Sequence, residues 1–105
     1  IDENTIKEYI RCFSNKNTIH ASCEDYRAAA SIDLTDHKND NAKNKKILAP
    51  LLILWGKKGT LEKLYQPIKE WNKWAKTVEG YSINCGHFIA EEKPKELIKA
   101  IDKFF

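Results

Sequence analysis

Arginine is nearly missing from this sequence. Arg11 and Arg27 are the only two, and the remainder of its 18 basic residues are lysines, balanced by 15 acidic residues to a net charge of +3. Phosphate binding needs basic groups focused on one face, and lysine solvates a surface more than it forks a phosphate. No nucleic-acid partner is expected. Cysteine is scarce and odd in number, with Cys12, Cys23 and Cys85 in no tight pair. That excludes a disulfide framework and points to a reducing compartment. Long apolar runs are absent too. The longest, Ile47 to Trp55, is strand-sized and interrupted by Pro50, so no membrane partner is expected. Ile1-Asp2-Glu3 has neither the basic nor the apolar region of a signal peptide. A cytoplasmic location follows as the expectation.

What is present is a mixed, globular composition. The apolar fraction is 42%, ordinary for a packed domain. Ile6, Tyr9, Ile10 and Phe13 form one helical stripe over residues 2–13. Residues 14–17 read as a turn, and Thr18 as the cap of a second helix reaching about Ala30, with Ile19, Cys23, Tyr26 and Ala30 on its apolar side. Residues 33–46 are almost wholly polar, either a solvated helix or a loop. Ile47–Trp55 reads as a buried strand ended by Gly56-Lys57-Lys58-Gly59. A third stripe follows at Leu61, Leu64, Tyr65, Ile68, Trp71 and Ala75, broken at Pro67. Gly80 stops it. Residues 81–84 form a second strand, 85–88 a loop, and Pro94 opens a last helix with Leu97, Ile98, Ile101, Phe104 and Phe105 on its buried side.

Strand, helix, strand, helix from residue 47 onward predicts an α/β fold with a parallel sheet. Two strands make no stable sheet alone. The chain also starts at Ile1 within a helical pattern. The expectation is a piece of a larger α/β domain.

His87 is the first candidate for chemistry. It follows a short strand and a glycine, at the carboxyl end of the expected sheet, where ligands gather in open α/β folds. An imidazole there takes a proton from water near neutral pH. Alone, a loop histidine is more often structural. Tyr26, read alone, is an amphipathic packing residue with a wet tip. His20 and Cys23 share a helix face but have no second pair nearby, so no metal site is expected. His37 reads as solvated, Trp55, Trp71 and Trp74 as packing, and Cys85 as a small buried residue.

Context adds to this. The segments Pro50-Leu-Leu-Ile-Leu-Trp-Gly56 and Asn84-Cys-Gly-His-Phe-Ile-Ala-Glu-Glu-Lys-Pro94 resemble the last two strands of the α/β-hydrolases. In that family a Gly-His pair after the final strand carries the catalytic histidine, and Glu-x-Pro opens the closing helix. Many members carry the triad acid as Gly-x-x-Asp after the penultimate strand. Here that position is Gly59, after Lys57 and Lys58. This departure, with Ser22-Cys-Glu-Asp-Tyr-Arg-Ala-Ala-Ala30 and Tyr9-Ile-Arg-Cys-Phe-Ser14, is similar to the haloacetate dehalogenases.

The resemblance implies a C-terminal fragment of an α/β-hydrolase fold: residues 1–31 from the end of a helical cap, 32–105 from the core, with the last two parallel strands and their helices. It implies that a carboxylate displaces halide from a 2-haloacid such as fluoroacetate or chloroacetate. His87 then activates water against the ester, and Tyr26 helps hold the departing halide. The nucleophile, the triad acid and the residues gripping the substrate carboxylate are expected upstream. No cofactor or metal is implied. The partner is a small haloacid, and a homodimer is entertained for the full-length protein. An epoxide hydrolase or other α/β-hydrolase, and an inactive truncated relative, are the alternatives.

Overall fold

The computed structural model describes residues 1–105, which form two compact units, Ile1–Lys45 and Lys46–Phe105. The first consists of α1 (Glu3–Phe13), α2 (Lys16–Ala29) and α3 (Ile32–Ala42), with α1 on α2 and α2 on α3. Asp2 caps α1, its Oδ1 accepting from the amides of Asn4 at 2.9 Å and Thr5 at 3.1 Å. The Thr5 hydroxyl donates to Oδ2 at 2.6 Å, and this bond foremost holds the carboxyl below its ordinary 3.8. Asn15 caps α2 by accepting from the Asn17 amide at 2.8 Å. The helix thus starts before Thr18, the expected cap, because Asn15 already satisfies a free amide of the first turn.

The polar stretch is helical. It forms α3, whose end is turned by Asn44 at φ 50°, a left-handed conformation that asparagine tolerates. Asp40 pairs with Lys45 at 2.8 Å across that turn. Since α3 packs on α2, the compact helical unit runs to Lys45.

The apolar stripes of α1 and α2 remain exposed at Ile6, Tyr9, Ile10, Phe13, Ile19 and Tyr26. The half-buried positions of these helices are Thr5, Cys12, Thr18, Ser22 and Ala28. Within the unit, small and polar side chains are the ones covered, and the large apolar ones face outward.

The second unit is built on β1 (Leu51–Gly56) and β2 (Val78–Ile83), parallel and in register from Leu51 opposite Val78 to Gly56 opposite Ile83. β1 starts later than expected. Pro50 has no amide to give a sheet, and before it only Ile47 bridges to Ala75. The crossover holds α4 (Leu61–Leu64) and α5 (Pro67–Trp71), separated at Pro67 as expected. β2 runs through Gly80, which was expected to end a segment. A Cβ at Gly80 would lie 2.0 Å from the Ile53 carbonyl oxygen, so glycine here permits close strand approach.

After β2 come α6 (Ile89–Glu92), a short helix not foreseen, and α7 (Pro94–Phe104). The buried apolar residues are Ala75, Ile83, Cys85 and Ala100. α7 buries Ala100 and half-buries Leu97 and Phe104, whereas Ile98, Ile101 and Phe105, expected inside, are exposed.

Candidate functional site

The carboxyl ends of β1 and β2 lie side by side because the strands are parallel and in register. The chain leaving β1 is tied to the chain leaving β2. The Lys57 amide donates to the Ile83 carbonyl at 2.8 Å, and the Lys58 amide to the Cys85 carbonyl at 2.9 Å. Gly56 and Gly86 meet at this junction. A Cβ on Gly56 would stand 1.6 Å from the Gly86 carbonyl oxygen. Only glycine at 56 admits so close a backbone, which explains the Trp-Gly ending of β1.

Cys85 is 2% exposed, and its Sγ lies 3.6 Å from the Ile83 carbonyl, to which it donates. Burial pushes the thiol above its ordinary 9.0, with the Glu92 charge adding to the effect. It is held protonated, as a packing residue rather than a nucleophile.

His87 follows on the loop, exposed, its ring meeting the Phe88 ring edge-on with centroids 5.1 Å apart. The turn after β1 offers Lys57, Lys58, Gly59 and Thr60 and no carboxylate.

The side chain that does grip this loop is Glu92, at the end of α6. Its Oε2 accepts from the Gly86 amide at 2.6 Å and its Oε1 from the Phe88 amide at 3.3 Å. Its own amide donates to the Phe88 carbonyl at 2.9 Å. In the sequence Glu92 stands out only as part of the Glu-x-Pro run. The usable signal is a carboxylate five residues after the histidine, close enough to fold back over a tight loop.

Tyr26 lies on α2 in the helical unit, 80% exposed. His87 and Tyr26 therefore belong to different compact units. His20 lies 3.9 Å from Glu24 on the same helix, Glu24 also pairing with Arg27. No group of three or more His, Cys, Asp or Glu side chains is arranged to hold a metal, and no helix is long and apolar enough to cross a membrane.

No protein-family profile matches the chain. Among curated proteins it is 35% identical over 104 residues to a soluble epoxide hydrolase of Corynebacterium sp. (strain C12), covering 98% of this chain and 34% of that protein. It is 25% identical over 103 residues to a fluoroacetate dehalogenase of Burkholderia sp, covering 98% of this chain and 33% of that protein. Among solved structures, a candidate alpha/beta hydrolase from Nostoc sp PCC 7120 superposes with a TM-score of 0.92 at 46% identity, over 99% of this chain and 35% of the other. A candidate acyltransferase from Salmonella enterica does so at 0.90 and 42%, over 98% and 34%. The chain spans about a third of the length of each. The parallel pair, its crossover and its closing helices are those of the C-terminal part of an α/β-hydrolase, and this is the fold to which the chain belongs.

Proposed function

We propose that this chain carries the water-activating histidine of a hydrolase that works through an enzyme-bound ester, with His87 as the general base and a 2-haloacid as substrate. The observation that carries the reading is the placement of His87. Its imidazole is exposed on a loop at the carboxyl ends of two parallel strands, where open α/β sheets assemble their chemistry. In the first half-reaction a carboxylate from the remainder of the protein attacks the α-carbon; a C–O bond forms and halide leaves with the bonding pair. In the second, His87 takes a proton from water as the oxygen attacks the ester carbonyl; the acyl C–O bond then breaks, the 2-hydroxy acid leaves with the proton returned from His87, and the enzyme carboxylate is regenerated. Tyr26 offers a phenol O–H to the departing halide.

The preference for a haloacid rests on the turn after β1, where Gly59 stands at the position where the resemblance to α/β-hydrolases would lead one to expect an acid, and on the likeness to the Burkholderia dehalogenase. An epoxide hydrolase is the second reading, favoured by the higher identity to the Corynebacterium enzyme. Both use the same division of labour, so one variant tests the shared part. Full-length His87→Asn should release about one equivalent of halide per site and stall, since ester formation needs no proton from His87. Intact-mass spectrometry should find the dehalogenated acid on the protein. Steady turnover by a well-folded His87→Asn protein would show that another group is the base. An adduct formed only from an epoxide favours the second reading.

A further inference from the structure

The Glu92 carboxylate holds the two peptide groups that bracket His87. The Gly86 amide belongs to the peptide entering residue 86, and the Phe88 amide to the peptide leaving residue 87. Glu92 accepts from both, at 2.6 and 3.3 Å, one bond to each of its oxygens. Four backbone dihedrals, those of Gly86 and His87, lie between the anchored groups, so the direction of the His87 Cα–Cβ bond is set there. Bonds from backbone amides to an ionised carboxylate are among the stronger hydrogen bonds.

Two further contacts make this a built clamp. The carboxylate occupies the space a side chain at residue 86 would need: a Cβ there would lie 2.6 Å from Oε1 and 3.1 Å from Oε2. The Gly86 carbonyl is in turn lodged against Gly56. The loop is thus held both by the end of β1 and by Glu92.

We infer that Glu92 is the positioning residue for His87, fixing the loop so that the imidazole meets the hydrolytic water while taking no part in ester formation. The inference rests on the reading of His87 as the base. Water activation requires a placed lone pair, and a displacement of about 1 Å can cost about a hundredfold in rate. A glutamine offers one acceptor oxygen where the carboxylate offers two, and would turn an N–H toward one of the amides. Aspartate keeps both acceptors on a shorter stem.

The test uses the full-length protein with chloroacetate or fluoroacetate, following the halide burst and, by intact mass, the decay of the ester. Glu92→Gln should form the ester at the parent rate and hydrolyse it about a hundredfold more slowly, with Glu92→Asp between the two. Gly86→Ala, which displaces the carboxylate without removing it, should show the same step-selective loss. The double variant should be no slower than the worse single one, because both break the same clamp. Ester decay at the parent rate in Glu92→Gln, or equal slowing of both steps with a reduced burst, overturns the inference. His87→Asn in parallel separates the two ideas. If it traps the ester while Glu92→Gln turns over normally, only Glu92 loses its role. If it turns over, the base has been misassigned.

Discussion

At the scale of single residues, Tyr26 and His87 differ in what surrounds them. His87 sits on a loop whose backbone is hydrogen-bonded at Gly86, Phe88 and, through Lys58, at Cys85. Tyr26 projects from α2 at 80% exposure. A phenol in water gives little to a leaving halide, because water competes for the same bond; its value as a donor comes in a dry, preorganised site. The halide role therefore requires that the full-length protein cover it. Tyr26→Phe in that protein should slow defluorination of fluoroacetate by about a hundredfold, the low end for one lost donor. Dechlorination should suffer less, fluoride being the poorer leaving group. Halide-release rates measured on both substrates decide this, and unchanged fluoride release removes Tyr26 from the halide site. The place of His87, on a loop at the carboxyl end of a parallel strand, is legible in the sequence because Gly86-His87 follows a strand and precedes Glu-x-Pro. Glu92's contact is not, because a surface glutamate on a short helix looks the same whether it faces solvent or folds back onto two amides.

Among the elements, the parallel pair was readable and its details were not. The apolar run Leu51–Leu54 marks β1 directly, whereas β2 alternates half-buried and exposed positions around Gly80. A glycine between polar residues reads as a stop; here it is a site of close approach to Ile53, which depends on a partner strand far away in sequence. The same holds for Gly56, whose neighbour is the Gly86 carbonyl. The apolar stripes of α1, α2 and α7 identify helices correctly but not their covered sides, since burial depends on what packs against them. Gly56 allows the clearest test at this scale. Gly56→Ala places a methyl 1.6 Å from a backbone oxygen that no rotamer can move aside. Overpacking of this kind costs about 1–3 kcal/mol, and the β1–loop junction should open. A urea melt of the full-length protein should show the loss, and ester decay should slow with it. Gly59→Ala is the control, because its methyl would meet only the Gly56 oxygen, at 3.2 Å. Equal stability of the two variants would mean that the junction is softer than its geometry implies.

For the whole molecule, surface area weighs against independent stability. Two separate compact bodies of these masses would expose about 7,300 Å² between them. The chain exposes 8,623 Å², more than full separation of two well-packed units accounts for. Its buried apolar residues, Ala75, Ile83, Cys85 and Ala100, are small apart from Ile83. Burial on that scale sits poorly against an ordering cost of about 1–2 kcal/mol for each backbone residue. Each strand of the pair also has one unpaired edge, and such edges template association. The relatives provide the comparison, since this chain matches only about a third of their length. Residues 1–105 produced alone should therefore bind a hydrophobic dye, unfold over a broad range of urea and associate as concentration rises. They should release no halide from fluoroacetate or chloroacetate, because the proposed nucleophile is not among them. A single sharp urea transition with well-dispersed amide signals would show that the exposed apolar helix faces need no cover. Halide release above background by the purified residues would be the more serious result: it would place a nucleophile within this sequence and give His87 a different partner from the one proposed.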